Sequence, residues 1–365
     1  MKIVRRLVRA ALVFVGASIA LLVTTAQCAP GWQAAPTEPP LDPEQEIASG
    51  TLPSFAVEQV AAAIPSDAGH AVRAWIVKPA SGSTNAPVPG VVLVHGAGPG
   101  DRDSLLSEAR ALASAGVAAI VYDKRVDGYS IFSRDYTRLA DDAIRAAEVL
   151  AHRSDVDPQH IGIMGWSEGG WVAPTAVQRA PNRFAFLGLV SAPIVSPLAQ
   201  AVWTADQPLV DASHWVRRMP ATALSSGRQF IDYLDFDIQP ALESVRIPVH
   251  AVWGAEDMTV PVNVAVRTLM RLVDAPATVR ILPDSGHSVG SGQWLAEAAV
   301  WMSLPPGSAG DEIRGTEPPS RAGLATLPRD AWFTNPLGHA ALAIALAVTS
   351  FLVRPRPHSA SNGEK

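Results

Sequence analysis

The part of the chain that decides the fold is an apolar run ending in a serine between two glycines, His160-Ile161-Gly162-Ile163-Met164-Gly165-Trp166-Ser167-Glu168-Gly169. Residues 160–165 have the continuous apolar character of a strand buried on both faces of a parallel sheet. Residues 169–179 have the pattern of a helix. The pattern G-x-S-x-G therefore falls on a sharp turn from strand to helix, where crowding excludes a side chain at both glycines.

Strands and helices alternate on both sides of this turn. The predicted strands are 72–77, 90–94, 117–122, 184–190, 249–253 and 278–282, and the other predicted helices are 104–115, 139–151, 263–272 and 294–302. Asp103 is the predicted N-cap of the first of these helices. Such alternation indicates an α/β fold with a mainly parallel sheet and helices on both faces. In this architecture ligands bind at the carboxyl ends of the strands.

The alternating elements occupy residues 54–303, which we interpret as one domain flanked by Pro-rich linkers at 29–53 and 304–336. An insertion at about 192–246 interrupts the alternation and predicts a short helical cap over the site. Its aromatic residues are Trp203, Trp215, Phe230, Tyr233 and Phe236. These side chains either offer apolar surface to a substrate or only attach the cap to the core.

Both ends of the chain carry targeting features. Residues 1–28 have four basic residues before an apolar run, as in a secretory signal peptide, with an uncleaved signal anchor as the alternative. Residues 337–353 contain no charged residue and precede a basic tail at 354–365, which predicts a C-terminal transmembrane anchor. The alternative for 337–353 is an amphipathic or core-buried helix. These features predict export, with the domain membrane-anchored outside the cytoplasm or else secreted or periplasmic.

Composition excludes several classes of function. The 365 residues are 48% hydrophobic, which suits a globular core, and 29 Lys and Arg against 34 Asp and Glu give a net charge of -5. Without a long basic cluster, nucleic acid is not expected as a partner. Cys28 is the single cysteine, so the chain has no internal disulfide framework and no cysteine-based zinc site. Any chemistry must use oxygen or nitrogen side chains.

Ser167, on the turn from strand to helix, is the candidate nucleophile, although a serine there could instead be only a helix N-cap. A serine hydroxyl needs a base and an orienting acid, which follow it in this fold in the order acid, then histidine. Asp257 follows the strand 249–253, with Glu256 as the fallback acid, and His287 follows the strand 278–282 as the base. Asp284 is too close to His287 in sequence to orient its ring.

The glycine-rich segment His95-Gly96-Ala97-Gly98-Pro99-Gly100 follows the strand 90–94. A turn of this kind can direct backbone N–H groups at a carbonyl oxygen, as an oxyanion hole requires. We assign the two donors to the backbone N–H groups of Ala97 and Glu168, with Gly96 as the alternative to Ala97. A phosphate-binding loop is disfavoured because no Lys-Ser/Thr pair and no dinucleotide fingerprint follow. His95 is interpreted as a structural residue of the turn.

Taken together, the motifs resemble those of the α/β-hydrolase superfamily, and in particular its serine esterase branch related to dienelactone hydrolases and prolyl-oligopeptidase-type peptidases. The resemblance rests on the segment 95–103, on Tyr122-Asp123-Lys124-Arg125, on the turn at Ser167, and on Asp257 and His287. It covers about residues 72–302. One departure is Val126-Asp127-Gly128, where such proteins often continue with Gly-x-Gly.

This resemblance implies a Ser-His-Asp acyl-transfer site that uses no metal and no organic cofactor. We therefore expect a serine hydrolase that cleaves small-molecule carboxylic esters. The alternatives are a serine peptidase or acyltransferase with the same triad, and a catalytically silent hydrolase-fold binding protein. A peptidase would be expected to carry a pair of acidic residues for amine recognition, and the sequence shows no such pair.

Overall fold

The computed structural model describes residues 2–28, 39–45, 54–305 except 68, 70 and 229, then 310–321, 323 and 343–349. Within these residues the chain forms a nine-stranded sheet in the order β1-β2-β4-β3-β5-β6-β7-β8-β9. Strand β2 pairs antiparallel with β1 and with β4, and every pairing from β4 through β3 to β9 is parallel. The predicted mainly parallel α/β sheet is confirmed.

The strands of the sheet are β1 (Val57–Ile64), β2 (Val72–Pro79), β3 (Val88–Val94), β4 (Ala118–Tyr122), β5 (Val156–Trp166), β6 (Leu187–Val190), β7 (Val249–Gly254), β8 (Ala277–Leu282) and β9 (Glu312–Gly315). The helices are α1 (Lys2–Cys28), α2 (Leu106–Ser114), α3 (Tyr136–Ala151), α4 (Gly169–Arg179), α5 (Pro197–Asp206), α6 (His214–Gly227), α7 (Gln239–Glu243), α8 (Val262–Leu272) and α9 (Gln293–Met302). A short 3₁₀ turn, Gln207–Leu209, follows α5.

The apolar core lies in two layers, one on each face of the sheet. Successive residues of β3 alternate between them, so that Val92 and Val94 pack into one layer while Val91 and Leu93 pack into the other. Helices α3, α4, α7 and α8 cover the first layer, and α2 and α9 cover the second. With both faces covered, the carboxyl ends of the parallel strands are left as the edge where loops can build a site.

Three features of the domain differ from the sequence-based expectation. Strand β1 was not predicted, and β9 lies inside the segment 304–336 that we interpreted as a linker. Helix α2 begins at Leu106, so Leu105 and not Asp103 is at its N-cap position, and the carboxylate of Asp103 instead accepts a hydrogen bond of 2.9 Å from the indole N–H of Trp75. The segment predicted as a cap contains α5, α6 and α7.

The structure describes only part of the segments predicted at the two ends of the chain. Residues 2–28 form the single helix α1, which contacts α6. Most of the linker at 29–53, most of the anchor predicted at 337–353 and all of the basic tail at 354–365 lie outside the described residues, although 343–349 are helical. Among the helices that are described, none combines the length and the apolar character needed to cross a bilayer. The transmembrane anchor predicted at 337–353 and the export of the domain both stay predictions.

Candidate active site

Ser167 lies on the turn between β5 and α4, as the motif predicts. Its φ of +50° is in the left-handed region that residues with a side chain rarely adopt, so the backbone is strained at the serine itself. The flanking glycines are required by space: a Cβ on Gly165 would lie 2.1 Å from the carbonyl oxygen of Gly169, and one on Gly169 would lie 2.7 Å from that of Val94. The turn therefore holds the hydroxyl above the sheet, at the N-terminal end of α4.

The structure brings the three predicted side chains into one hydrogen-bonded chain. His287 Nε2 lies 2.9 Å from Ser167 Oγ, and His287 Nδ1 lies 2.8 Å from Asp257 Oδ2. With a proton on Nδ1, that nitrogen donates to the carboxylate and Nε2 accepts from the serine hydroxyl. The three residues follow β5, β7 and β8, whose carboxyl ends lie at one edge of the sheet.

The carboxylate of Asp257 is fully buried and fixed by the backbone. Its Oδ1 accepts hydrogen bonds of 2.7 and 3.0 Å from the N–H groups of Thr259 and Val260, so Oδ2 is left to face the imidazole. Glu256, the fallback acid, lies at the surface and pairs with Arg321 at 2.7 Å. The geometry thus favours Asp257 over Glu256 as the partner of His287.

A glycine that the sequence analysis did not single out allows the acid and histidine loops to meet. A Cβ on Gly254, the last residue of β7, would lie 2.2 Å from the carbonyl oxygen of Ser285 and 2.3 Å from that of Gly286. Strand β7 and the loop before His287 therefore approach each other through the space that a side chain would fill. The hint in the sequence is the glycine that ends a mostly apolar strand.

The turn after β3 lies beside the serine. A Cβ on Gly96 would contact the Cβ of Ser167 at 3.5 Å, and Gly96, Ala97 and Glu168 line one pocket together with Ser167. His95 is buried, and its Nε2 bonds to the carbonyl oxygen of Asp101 at 2.9 Å. Burial lowers the pKa of His95, and the bond from its Nε2 to Asp101 agrees with the interpretation of His95 as a structural residue of the turn.

The side chain of Glu168 was not recognised from the sequence, which singled out only its backbone N–H. The carboxylate is 1% exposed and binds two cations and a phenol. Oε1 accepts from Lys124 Nζ at 2.5 Å and from Tyr129 Oη at 2.8 Å, and Oε2 pairs with Arg134. Burial raises the pKa of Tyr129, and the charge of Glu168 raises it further, so the phenol is protonated and can donate.

The pocket above Ser167 has a volume of about 520 Å³, in the range of sites for small molecules. The cap contributes Pro197, Gln200, Ala201, Tyr233 and Leu234 to its lining. Of the five aromatic residues noted in the cap, Tyr233 is the one that is found among the described residues lining this pocket. Trp203 is buried, Phe236 packs on the core, Phe230 is exposed, and the side chain of Trp215 lies outside the described part of the chain.

The mainly parallel sheet and the turn at Ser167 define a hydrolase of the α/β-hydrolase type. Residues 107–303, more than half of the chain, match the model of the prolyl oligopeptidase family. The chain belongs to this family.

Known relatives include proteins of more than one kind. An uncharacterized protein of Mycobacterium tuberculosis is 30% identical over 224 residues, which are 60% of this chain and 69% of that protein. Dipeptidyl aminopeptidase BIII of Pseudoxanthomonas mexicana is 27% identical over 222 residues, 56% of this chain and 31% of that one. The structure of an acetyl xylan esterase from Paenibacillus sp. R4 superposes with a TM-score of 0.50 at 20% identity, covering 78% of this chain and 90% of that chain. This last likeness is one of fold.

Proposed function

We propose that Ser167, His287 and Asp257 are the catalytic triad of a serine hydrolase that cleaves carboxylic esters. The observation that carries the proposal is the pair of hydrogen bonds joining the three side chains, at 2.9 and 2.8 Å, beside a pocket of small-molecule size. Three residue types drawn from three separate strand ends meet in the order that acyl transfer requires.

In the proposed mechanism, Ser167 Oγ attacks the ester carbonyl while His287 Nε2 takes its proton. Asp257 holds the imidazole with its proton on Nδ1 and stabilises the imidazolium that forms. His287 then gives the proton to the leaving alcohol, and water attacks the acyl-enzyme by the same route. The N–H groups of Glu168 and of Ala97, or of Gly96 in its place, would stabilise the negative charge on the carbonyl oxygen.

The lining of the pocket supports an ester over a peptide with a free amino terminus. An amino-terminal ammonium group would need a carboxylate with free acceptor capacity. Glu168 is the one carboxylate among the described residues that line this pocket; Lys124, Tyr129 and Arg134 already use three of its roughly four acceptor sites, and the two cations offset its charge. The peptidase alternative rests on the family and on the relative from Pseudoxanthomonas mexicana.

The test uses the full chain and its Ser167→Ala variant. We expect a fluorophosphonate probe to label the wild type at Ser167 and not the variant, and p-nitrophenyl esters to be hydrolysed by the wild type alone. Folded wild type that is neither labelled nor active would make the chain a silent binding protein. Faster cleavage of dipeptidyl p-nitroanilides than of esters would select the peptidase, and ester products formed with added alcohols would reveal acyl transfer.

A further inference from the structure

The carboxylate of Glu168, the ammonium of Lys124 and the hydroxyl of Tyr129 form a group that we call the Glu168 cluster, in which the two charged side chains are buried and Tyr129 is half-buried. The proposed triad does not include any of these side chains, although Glu168 directly follows Ser167 in the chain. Lys124 belongs to the Tyr-Asp-Lys-Arg segment, and its side chain is 4% exposed. Taking two charges out of water is costly, and a buried ion pair often gives no net stability, so its presence here calls for another role.

The side chains of Lys124 and Tyr129 also bond to the backbone of the turn after β3. Lys124 Nζ donates to the carbonyl oxygens of Gly96 at 2.8 Å and Gly98 at 3.2 Å, one on each side of Ala97. The hydroxyl of Tyr129 accepts from the backbone N–H of Gly98 at 2.8 Å. The Glu168 cluster thus connects the two backbone segments to which the oxyanion donors were assigned.

The cluster has the donors and acceptors that these contacts need. The phenol gives its one proton to Glu168 Oε1 at 2.8 Å and uses its oxygen to accept from Gly98 N–H and from Lys124 Nζ at 3.1 Å. Lys124 has three protons, which its four oxygen neighbours share. The hydrogen bonds of the cluster share their atoms, so a shift of the turn at Gly96–Gly98 or of the backbone at Glu168 would break several of them together.

The charges of the side chains around Glu168 also favour a negatively charged intermediate. Lys124 and Arg134 are two cations against the single carboxylate of Glu168, so these three side chains together carry one formal positive charge, while the carboxylate of Asp257 lies beyond the imidazole of His287. Burial lowers the pKa of Lys124, while the charge of Glu168 opposes that effect and favours the ammonium form. An excess positive charge in a buried site favours the negative oxygen of a tetrahedral intermediate.

We propose that Lys124 is a positioning residue for the oxyanion hole, holding the turn at Gly96–Gly98 in register with the backbone of Glu168, and that Tyr129 completes the connection. This inference rests on the proposed function, since it concerns how the same site stabilises its transition state. Misplacing a catalytic group by about 1 Å can cost on the order of 100-fold in rate, so fixing the donors has a measurable effect.

The test compares Lys124→Met with Lys78→Met in the full chain. Lys78 is the matched control because its side chain is also 4% exposed and makes ion pairs of 3.1 Å with Glu58 and Asp155, away from the pocket. Hydrolysis of a p-nitrophenyl ester should fall about 100-fold in kcat for Lys124→Met with little change in KM. Lys78→Met should keep the wild-type kcat, whatever it loses in stability.

A second readout separates positioning from simple loss of structure. A boronic acid forms a tetrahedral adduct with the serine and so reports on the oxyanion hole. Its affinity should fall in parallel with kcat/KM in Lys124→Met. Tyr129→Phe removes a single hydroxyl and should lower kcat by about tenfold, and the double variant should lose less than the product of the two single losses, because both act through one network.

The outcomes are distinct. A wild type that hydrolyses esters, together with a folded Lys124→Met that keeps the activity of Lys78→Met, would overturn this inference alone. A change in KM with unaltered boronic acid affinity would overturn it as well, since Lys124 would then act on substrate binding. If Lys124→Met does not fold, Tyr129→Phe decides instead, and an undiminished kcat in Tyr129→Phe would overturn the inference. Wild type without ester hydrolysis and without labelling at Ser167 would overturn the proposed function together with the inference.

Discussion

The hydroxyl of Ser191 donates a hydrogen bond of 2.8 Å to the main-chain carbonyl oxygen of His287, which lies 96 residues further along the chain. Ser191 directly follows β6 and has a φ of +47°. The bond therefore joins the end of a central strand to the loop that carries the imidazole. A single hydrogen bond contributes about 1 kcal/mol, which is about a fivefold change in an equilibrium or rate.

We therefore expect Ser191→Ala to lower kcat by about fivefold, through a less well held His287. Ser285→Ala is the matched control, because among the described residues the hydroxyl of Ser285 bonds within its own turn, to the carbonyl oxygen of Pro283 at 3.1 Å. Steady-state kinetics on a p-nitrophenyl ester measures the effect. Equal kcat values for the two variants would show that the bond from Ser191 does not position the ring.

Replacing Asp257 with Asn should lower kcat by about 10⁴-fold, because an amide no longer holds the imidazole with its proton on Nδ1. Glu256→Gln is the control, since Glu256 pairs with Arg321 at the surface. The variant Glu256→Gln should retain wild-type kcat. If instead Glu256→Gln were the inactive variant, the assignment of the orienting acid would be reversed.

A methyl group at residue 254 should push the acid and histidine loops apart, because it would lie 2.2 Å from the carbonyl oxygen of Ser285. We expect Gly254→Ala to have a lower kcat than the wild type and a free energy of unfolding lower by about 1–3 kcal/mol, the usual cost of an added methyl group in a packed site. Gly286→Ala adds the same methyl group in open space and should change neither quantity. Urea unfolding with circular dichroism compares the two, and similar losses in both would contradict the steric argument.

His250 should make the fold sensitive to acid. Burial, with a smaller contribution from the charge of Arg280, lowers the pKa of His250 to about 3. In the unfolded chain a histidine titrates near 6.5. Between these values the unfolded chain binds a proton that the folded chain does not, so the free energy of unfolding falls by about 1.4 kcal/mol for each pH unit of acidification.

The variant His250→Phe should remove this contribution and flatten the pH dependence of stability. Phenylalanine keeps a ring against Trp301, whose centroid lies 5.2 Å from that of His250, and within the described part of the chain the buried Nδ1 atom makes no hydrogen bond that would be lost. Urea unfolding between about pH 4 and 6 gives the slopes. Identical slopes for wild type and His250→Phe would show that His250 is not the acid-sensitive group.

The turn at Ser167 could be predicted because its requirement is local. Two glycines, each without room for a Cβ, mark the crossing from strand to helix within five residues. Asp257 and His287 could be predicted from their positions after β7 and β8, because parallel strands end at a common edge. The fold class followed from the same alternation of strands and helices.

What the sequence did not reveal depends on contacts between distant residues. The bond from Lys124 to Glu168 spans 44 residues, and the motif leaves the residue after the serine unspecified. Strand β9 lies among prolines and glycines, and its pairing with β8 comes from tertiary contacts rather than from a local apolar pattern. Gly254 is explained only by a loop that arrives about 30 residues later, at Ser285.

Strand β9 has a practical consequence for handling the protein. It covers the outer side of β8, and it is itself held by Glu44, whose backbone bonds to Ile313 and Gly315. A chain cut after Met302 would leave the amide and carbonyl groups along β8 without partners, which is the condition for edge-to-edge association between molecules. Such a truncated protein would tend to form oligomers and precipitate even with every residue around Ser167 intact, so its loss in yield would say nothing about catalysis.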